Sequence, residues 1–313
     1  MLHALPLVFV LAGLVLYTVL AGADFGAGAW RLLGDGRIND QAQHSMGPVW
    51  EANHVWLIFV LTITWTAYPR FLGSLASTLA VPFFLAGMGI IVRGAGYALR
   101  SGARSPRETR RIDTIMAVFS LITPFMLGTC VGALADDRVP VGNAAGPLIS
   151  SWTGPVSLLI GALAVAFSAY LAAVFMAADA QRAGASELVE PLRRRALGSG
   201  LVAGALAVAG LVLLHHDAHP VYDGLTHGAG LTALVISGLA GAGTVHLIAR
   251  RRFEPARYTA AAAVAAVVTG WAIARWPHLL PGLTIRQAAA SHDTLVAVVA
   301  LVVAGGMLLF PSL

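Results

Sequence analysis

The chain has 313 residues, of which 58% are hydrophobic and 11% are charged, and its formal net charge is +5 at pH 7. A soluble globular protein averages about 25% charged residues, so this composition excludes a soluble enzyme. The dominance of apolar residues also excludes a disordered chain. The single cysteine, Cys130, excludes an internal disulfide and a cluster of thiolate metal ligands. The composition is that of an integral membrane protein.

Nine apolar runs follow one another along the chain, and one transmembrane helix needs about 20 apolar residues. We therefore predict an all-α polytopic membrane protein that forms a single integral membrane domain over residues 1–313. The first run has no basic residue before its apolar core and no small-residue cleavage site after it, so we expect a retained helix and not a signal peptide. The predicted spans are 4–24, 50–69, 72–98, 112–134, 154–178, 196–214, 226–249, 256–276 and 292–310.

The distribution of arginine predicts the orientation of the chain. The sequence has no lysine, and 15 of its 20 basic residues lie in the odd-numbered loops, against 4 in the even-numbered loops. Cytoplasmic loops carry the excess of basic residues, so we predict an outside N-terminus and a cytoplasmic C-terminus. The use of arginine with much alanine, glycine and valine favours a bacterial source, and hence the bacterial inner membrane. Arginines in short loops between apolar runs do not indicate nucleic-acid binding.

An acidic residue interrupts the end of the first apolar run, at Asp24 within the segment ADFGAG at 23–28. An ionisable residue in a bilayer costs about 2.5–3.5 kcal/mol on insertion scales, and those that persist face protein or water. Two interpretations stay open. Asp24 is either a helix-end acid at the membrane interface or a proton-accepting carboxylate at the entrance of a channel.

The start of the second span is polar for a membrane helix. Pro48 suits the first turn, and Glu51 lies in this turn, where the positive end of the helix dipole helps to hold its charge. Glu51 and His54 share a helix face at i and i+3. Glu51 is therefore a candidate proton site, with an interfacial cap as the alternative, and His54 is a weaker candidate. The same stretch contains Trp50, Asn53 and Trp56.

A basic residue lies inside the third span, at Arg93, and Tyr97 and Arg100 follow it. A long arginine side chain can snorkel to the cytoplasmic interface. Alternatively, Arg93 pairs with Asp24 or Glu51 from the same side of the membrane, or with a lipid headgroup. The sequence alone does not decide between a side chain at the interface and a paired one.

Histidines gather between the sixth and seventh spans. A hydrated outer loop explains them, and a metal site is the alternative. No two histidines occupy facing mid-helix positions, as a haem with two histidine ligands would require, so the sequence alone offers no redox centre. The group comprises His215, His216, His219 and His227, with Asp217 and Asp223 nearby.

The motifs described above resemble those of subunit II of cytochrome bd-type quinol oxidases, including the cyanide-insensitive branch. GADFGAG at 22–28 resembles the acid-plus-glycine motif that ends the family's first helix, and PVWEANHVWL at 48–57 resembles the W-[DE]-x-N-x-V-W-L motif that opens its second. Arg93, Tyr97 and Arg100 resemble the arginine cluster that ends its third helix. Helix count, chain length and short loops extend the likeness over the whole chain, although beyond the fourth span it rests on pattern alone.

The resemblance implies a complex of two similar subunits, each with two four-helix bundles plus one peripheral helix. Subunit I would hold haem b and haem d and would exchange with the quinol pool. This chain would be the non-haem subunit II, which binds no cofactor firmly and is not catalytic alone, within a complex that converts quinol and oxygen to quinone and water. A small accessory subunit, membrane lipids and a structural quinone or lipid stay open as further partners.

The same resemblance implies that this subunit supports subunit I and lines a cytoplasmic proton path to the oxygen-reducing haem. Glu51 takes the position of the family's key proton-path carboxylate, and Asp24 takes that of the helix 1 acid. Several members have Asp where this chain has Glu51 and Gln where it has His54, so the geometry of the path differs. Supporting roles fall to Trp50, Asn53, Trp56, Arg93 and Arg100.

Two other functions stay open from the residues alone. A proton-coupled secondary transporter would also hold intramembrane Asp, Glu and Arg, with Pro82 and Pro124 as helix breaks, but the sequence shows no matched halves of the inverted-repeat kind. A structural scaffold would share the haem-bearing partner, and would keep full turnover when its acids are neutralised.

Overall fold

A computed structural model describes residues 2–32, 53–103 and 105–309 of the chain, and it confirms the all-α class. A short 3-10 helix at Leu2–Ala4 leads into the first long helix, and one antiparallel hairpin, β1 (His278–Leu280) and β2 (Leu283–Thr284), interrupts the helices near the C-terminus. The helices are α1 (Leu5–Trp30), α2 (Asn53–Ala67), α3 (Pro69–Thr78), α4 (Ala80–Ser101), α5 (Pro106–Ala135), α6 (Pro155–Arg182), α7 (Ser186–Asp217), α8 (His219–Thr226), α9 (Gly228–Ala249), α10 (Phe253–Ala274), α11 (Ile285–Ala288) and α12 (His292–Leu309).

Within the described residues, seven of the nine predicted spans each correspond to one long helix, and the other two, 50–69 and 72–98, fall on the three helices α2 to α4. Seven helices are long and apolar enough to cross a membrane, and the bent pair of α2 and α3 would make an eighth span. The apolar part of α12 is shorter, over His292–Met307. The count of nine spans and their arrangement in two bundles therefore stay predictions.

The region of α2 to α4 differs from the two continuous spans predicted there. A bend of 118° separates α2 from α3 at Tyr68, because the residue before Pro69 is driven out of the helical region. The predicted span 72–98 is wrong in its continuity, since the helix breaks again at Leu79. Pro82 accounts for this second break, because its ring excludes a helical hydrogen bond to the carbonyl of Thr78 four residues earlier.

Helix α6 is the centre of the fold. Residues 170–178 are buried without interruption, as expected for a helix that is hydrophobic all round. Helices α1, α5, α7 and α10 pack around it. Gly26 of α1 lies directly on α6, because a Cβ placed there would overlap the carbonyl oxygen of Ser168 and would lie 2.8 Å from the Cβ of Ala172. The close approach of α1 to α6 thus depends on this glycine.

The arginine-rich helix ends meet through ion pairs. Arg182 at the end of α6 pairs with Glu254 at the start of α10 at 2.7 Å, and Arg257 of α10 pairs with Asp179 of α6 at 3.2 Å. The guanidinium of Arg195 in α7 lies 5.1 Å from the ring centre of Trp30, the last residue of α1. The last turns of α1 and α6 and the first turns of α7 and α10 therefore lie at one end of the molecule, here called the arginine-rich end.

Candidate functional site

Asp24 and Arg93 form a buried ion pair between α1 and α4. The Nη2 atom of Arg93 lies 2.6 Å from Oδ1 of Asp24, and each side chain is only 2% exposed. Asp24 does not lie at a helix end, because α1 continues for six more residues to Trp30. Of the two environments expected for Arg93, the structure has the ion pair and not a side chain that snorkels to the interface.

Three further groups hold this ion pair in place. The hydroxyl of Tyr97 donates a hydrogen bond of 3.1 Å to Oδ1 of Asp24, and Nη1 of Arg93 donates to the hydroxyl of Ser120 in α5. The guanidinium also lies 4.9 Å from the ring centre of Phe25, within cation–π range. A buried charge is tolerated only when it is paired and its remaining hydrogen-bonding groups are satisfied. The arrangement of Asp24 and Arg93 meets this condition.

Gly28 makes room for the arginine. A Cβ at this position would overlap both Nη1 of Arg93 and the hydroxyl of Ser120. The two glycines that follow Asp24 in the sequence thus have different structural roles. Gly26 brings α1 against α6, and Gly28 admits the guanidinium between α1 and α5.

A second group of ion pairs lies nearer the arginine-rich end. Asp113 of α5 pairs with Arg31 at 3.2 Å and with Arg100 at 2.9 Å. The predicted supporting residue Arg100 therefore lies closer to the arginine-rich end than Arg93 does. Ionisable side chains of α4 and α5, with Arg31 at the end of α1, therefore lie between the helix ends and Asp24.

A small cavity adjoins the Asp24–Arg93 pair and lies between α1, α2 and α4. Asn53 and His54 reach it from α2, and Tyr17 reaches it from α1. Trp56 packs edge-to-face on Phe59 at 5.8 Å and lies against the same buried cluster as Tyr17. The structure therefore brings Asp24, Arg93, Asn53 and His54 to one place, with the other predicted site residues, Trp50 and Glu51, outside the described residues.

Sequence reasoning missed three residues of this site. Tyr17 lies seven residues before Asp24, which is two helical turns and therefore the same face of α1. Asp113 and Ser120 of α5 have the same spacing. The sequence could have indicated these residues through the spacing of seven between polar side chains within apolar spans. A single tyrosine or serine, however, costs too little free energy of membrane insertion to mark a site by itself.

The four histidines are exposed, but the segment that holds them is largely helical and is not the loop that the sequence favoured. His215 and His216 lie in the last turn of α7, and His219 begins α8, so the segment is helical on both sides of Ala218. The His215 ring meets the rings of His216, His219 and Tyr222 edge-on, with ring centres of His215 and Tyr222 4.7 Å apart, and the His219 ring stacks on that of Tyr222. Within residues 2–32, 53–103 and 105–309, no three His, Cys, Asp or Glu side chains are arranged to hold a metal ion.

The fold and the site together define a polytopic helical membrane protein with ionisable side chains buried at its arginine-rich end. The family model for cytochrome bd terminal oxidase subunit II matches residues 2–313. The chain belongs to this family of terminal oxidase subunits.

Two individual proteins illustrate the likeness. The cytochrome bd ubiquinol oxidase subunit 2 of Bacillus subtilis is 30% identical over 129 residues, which are 41% of this chain and 38% of that relative. A chain in the structure of bd oxidase from Geobacillus thermodenitrificans is 25% identical, with a TM-score of 0.81, over 99% of this chain and 96% of that chain. The match in sequence is thus partial, whereas the match in fold extends over nearly the whole of both chains.

Proposed function

We propose that this chain is the non-haem subunit II of a quinol:oxygen oxidoreductase in a bacterial respiratory chain. In this role it supports a haem-bearing subunit I and lines a proton path from the cytoplasm to the oxygen-reducing haem. The observation that carries the proposal is the buried Asp24–Arg93 pair, which adjoins a small cavity, with the ion pairs of Asp113 nearer the arginine-rich end.

The reaction explains why such a path is needed. Reducing one oxygen molecule to two water molecules takes four electrons and four protons, and two quinols release that number of each. The haems of subunit I supply the electron chemistry, and this chain supplies groups that accept and pass protons. Glu51, Asp24 and His54 form the path, with Arg93 balancing the carboxylate charge of Asp24 inside the membrane.

The predicted orientation agrees with uptake from the cytoplasm. The arginine excess places the arginine-rich end on the cytoplasmic side, and Arg31, Arg100 and Asp113 lie between that end and Asp24. Protons would enter there and move toward the middle of the membrane. In this proposal the N-terminus is outside and the C-terminus is cytoplasmic, which rests on the arginine distribution alone.

Purification of the tagged chain from its native membranes in mild detergent tests the assignment. We expect a second polytopic subunit to co-purify, and we expect haem b and haem d bands in the dithionite-reduced minus oxidised spectrum. A colourless preparation without a partner would contradict the proposed function and would favour the transporter.

Replacing Glu51 by glutamine tests the proton path. We expect oxygen reduction to slow by roughly tenfold or more, because a positioned proton-transfer group contributes about 10²–10⁴-fold. The assembled complex and its haem spectrum should not change. The measurement is the oxygen consumption of purified complexes across a range of pH, with proton uptake recorded in parallel.

Glu187→Gln is the matched control, since Glu187 is exposed in the first turn of α7 at the arginine-rich end. This variant should keep the wild-type rate. A wild-type rate for Glu51→Gln at every pH would remove Glu51 from the path. If neutralising Asp24 also left turnover unchanged, the chain would be a scaffold for subunit I and not a proton path.

A further inference from the structure

We propose that the cavity beside Asp24 binds one water molecule, held by the Tyr17 hydroxyl and the Asn53 carboxamide, and that this water carries protons inward from Asp24. Tyr17 and Asn53 are then positioning residues for proton transfer. The inference rests on the proposed function and deepens it, because it names the group that receives the proton beyond Asp24.

The first support is a pair of buried polar side chains that lack a partner. Tyr17 is 7% exposed and Asn53 is 2% exposed. Among the described residues, neither the Tyr17 hydroxyl nor either polar atom of the Asn53 carboxamide has a hydrogen-bond partner. Buried polar groups are normally satisfied by protein or by ordered water. These three atoms together offer donors and acceptors to a water molecule.

The second support is the size of the cavity. Its volume, for the positions that the centre of a water-sized sphere can occupy, is about 10 Å³. A polar site needs roughly 10–15 Å³ on this measure to hold one water, which typically makes about three hydrogen bonds. The cavity therefore has room for a single water.

The third support is charge. The cavity wall includes both Asp24 and Arg93, which lie 2.6 Å apart and balance each other. A neutral ligand suits such a wall, because the guanidinium would repel a cation and the carboxylate would repel an anion. Water is neutral, and it can accept a proton at one lone pair while it releases another from an O–H bond, so it is regenerated after each transfer.

The position of Tyr17 gives the transfer its direction. Tyr17 lies near the middle of α1, and Asp24 lies seven residues closer to the arginine-rich end. At 1.5 Å per residue, this separation is about 10 Å along the helix. Tyr17 is therefore attached to α1 deeper in the membrane than Asp24 is, on the side away from the predicted cytoplasmic entrance.

Tyr17→Phe in the purified two-subunit complex tests the inference, because it removes the hydroxyl and keeps the ring. We expect oxygen reduction to slow several-fold, with a larger solvent deuterium isotope effect and an unchanged haem spectrum. Tyr170→Phe is the matched control, because Tyr170 is a buried tyrosine of α6 outside the cavity. The control should keep both the rate and the isotope effect of the wild type.

Asn53→Leu is the second single variant, and Tyr17→Phe with Asn53→Leu is the double variant of a double-mutant cycle. If both side chains hold the same water, the double variant should be no slower than the slower single variant, because effects on a shared partner are not additive. Independent effects that multiply would overturn a shared water. A structure of the wild-type complex at a resolution that shows ordered waters should contain density in the cavity.

The outcomes separate the inference from the proposed function. A slow Glu51→Gln variant with a wild-type rate for Tyr17→Phe would overturn the water relay and leave the proton path standing. Density for a water without any change in rate or isotope effect on Tyr17→Phe would also overturn the relay. Wild-type rates for Glu51→Gln, for a neutralised Asp24 and for Tyr17→Phe would overturn the proposed path and the inference together.

Discussion

Replacing Gly26 by alanine is expected to prevent assembly of a stable protein. The added Cβ would overlap the backbone carbonyl of Ser168 in α6, and neither helix backbone can move without disturbing the packing around α6. Overpacking of a core typically costs about 1–3 kcal/mol and sometimes more, and a clash with backbone belongs at the upper end of that range. The measurement is the yield of the complex and its midpoint of thermal unfolding.

Gly22→Ala is the control on the same helix, one turn away. There the added Cβ would lie 3.1 Å from Cδ1 of Leu171, and the end of a flexible side chain can give way by a few tenths of an ångström. This variant should assemble with nearly the wild-type midpoint. Equal damage from both substitutions would show that α1 tolerates no added volume on this face, and that Gly26 has no special role.

Replacing Arg93 by glutamine is expected to cost more stability than replacing Arg93 and Asp24 together. The single change leaves the carboxylate of Asp24 buried without its countercharge, and breaking a buried pair from one side costs about 3–5 kcal/mol. The double variant, Asp24→Asn with Arg93→Gln, removes both charges and should recover part of this loss. Thermal unfolding of the wild type, both single variants and the double variant measures the coupling.

An exposed pair provides the comparison for this experiment. Arg251 pairs with Glu190 at 3.3 Å, and the arginine side chain is 67% exposed. Exposed ion pairs contribute about 0–1 kcal/mol, so Arg251→Gln should leave the unfolding midpoint almost unchanged. A double variant at positions 24 and 93 that is as unstable as Arg93→Gln would mean that hydrogen bonds, and not charge balance, dominate at this site.

The class of the protein and the centre of its candidate site could be predicted from the sequence. Long apolar runs predict helices because the bilayer offers no partner for an unpaired backbone. Asp24 and Arg93 were identifiable individually, since a charge within such a run is costly enough to need a partner. Their mutual pairing stayed open, because the sequence also allowed Arg93 to reach Glu51 or the interface.

The remaining features depend on three-dimensional contacts that the sequence does not encode locally. Tyr17 and Asn53 become significant only when α2 lies against α1, and only then do they line one cavity with Asp24. The break at Leu79 follows from Pro82, but the apolar pattern over residues 72–98 is the same for a broken helix as for a continuous one. Likewise, the helical turn that begins at His219 is too polar to be distinguished from a loop.

The depth of Tyr17 has a consequence for the membrane potential. A proton that travels from the predicted cytoplasmic end of α1 to the level of Tyr17 crosses about half the length of the helix. One full charge moved across the membrane corresponds to about 2.3 kcal/mol per 100 mV, so this half-crossing corresponds to roughly 1.2 kcal/mol per 100 mV. With the cytoplasm negative, the movement is uphill. Each proton that the proposed path delivers from the cytoplasm would therefore charge the membrane, and a high membrane voltage would slow proton delivery and with it oxygen reduction.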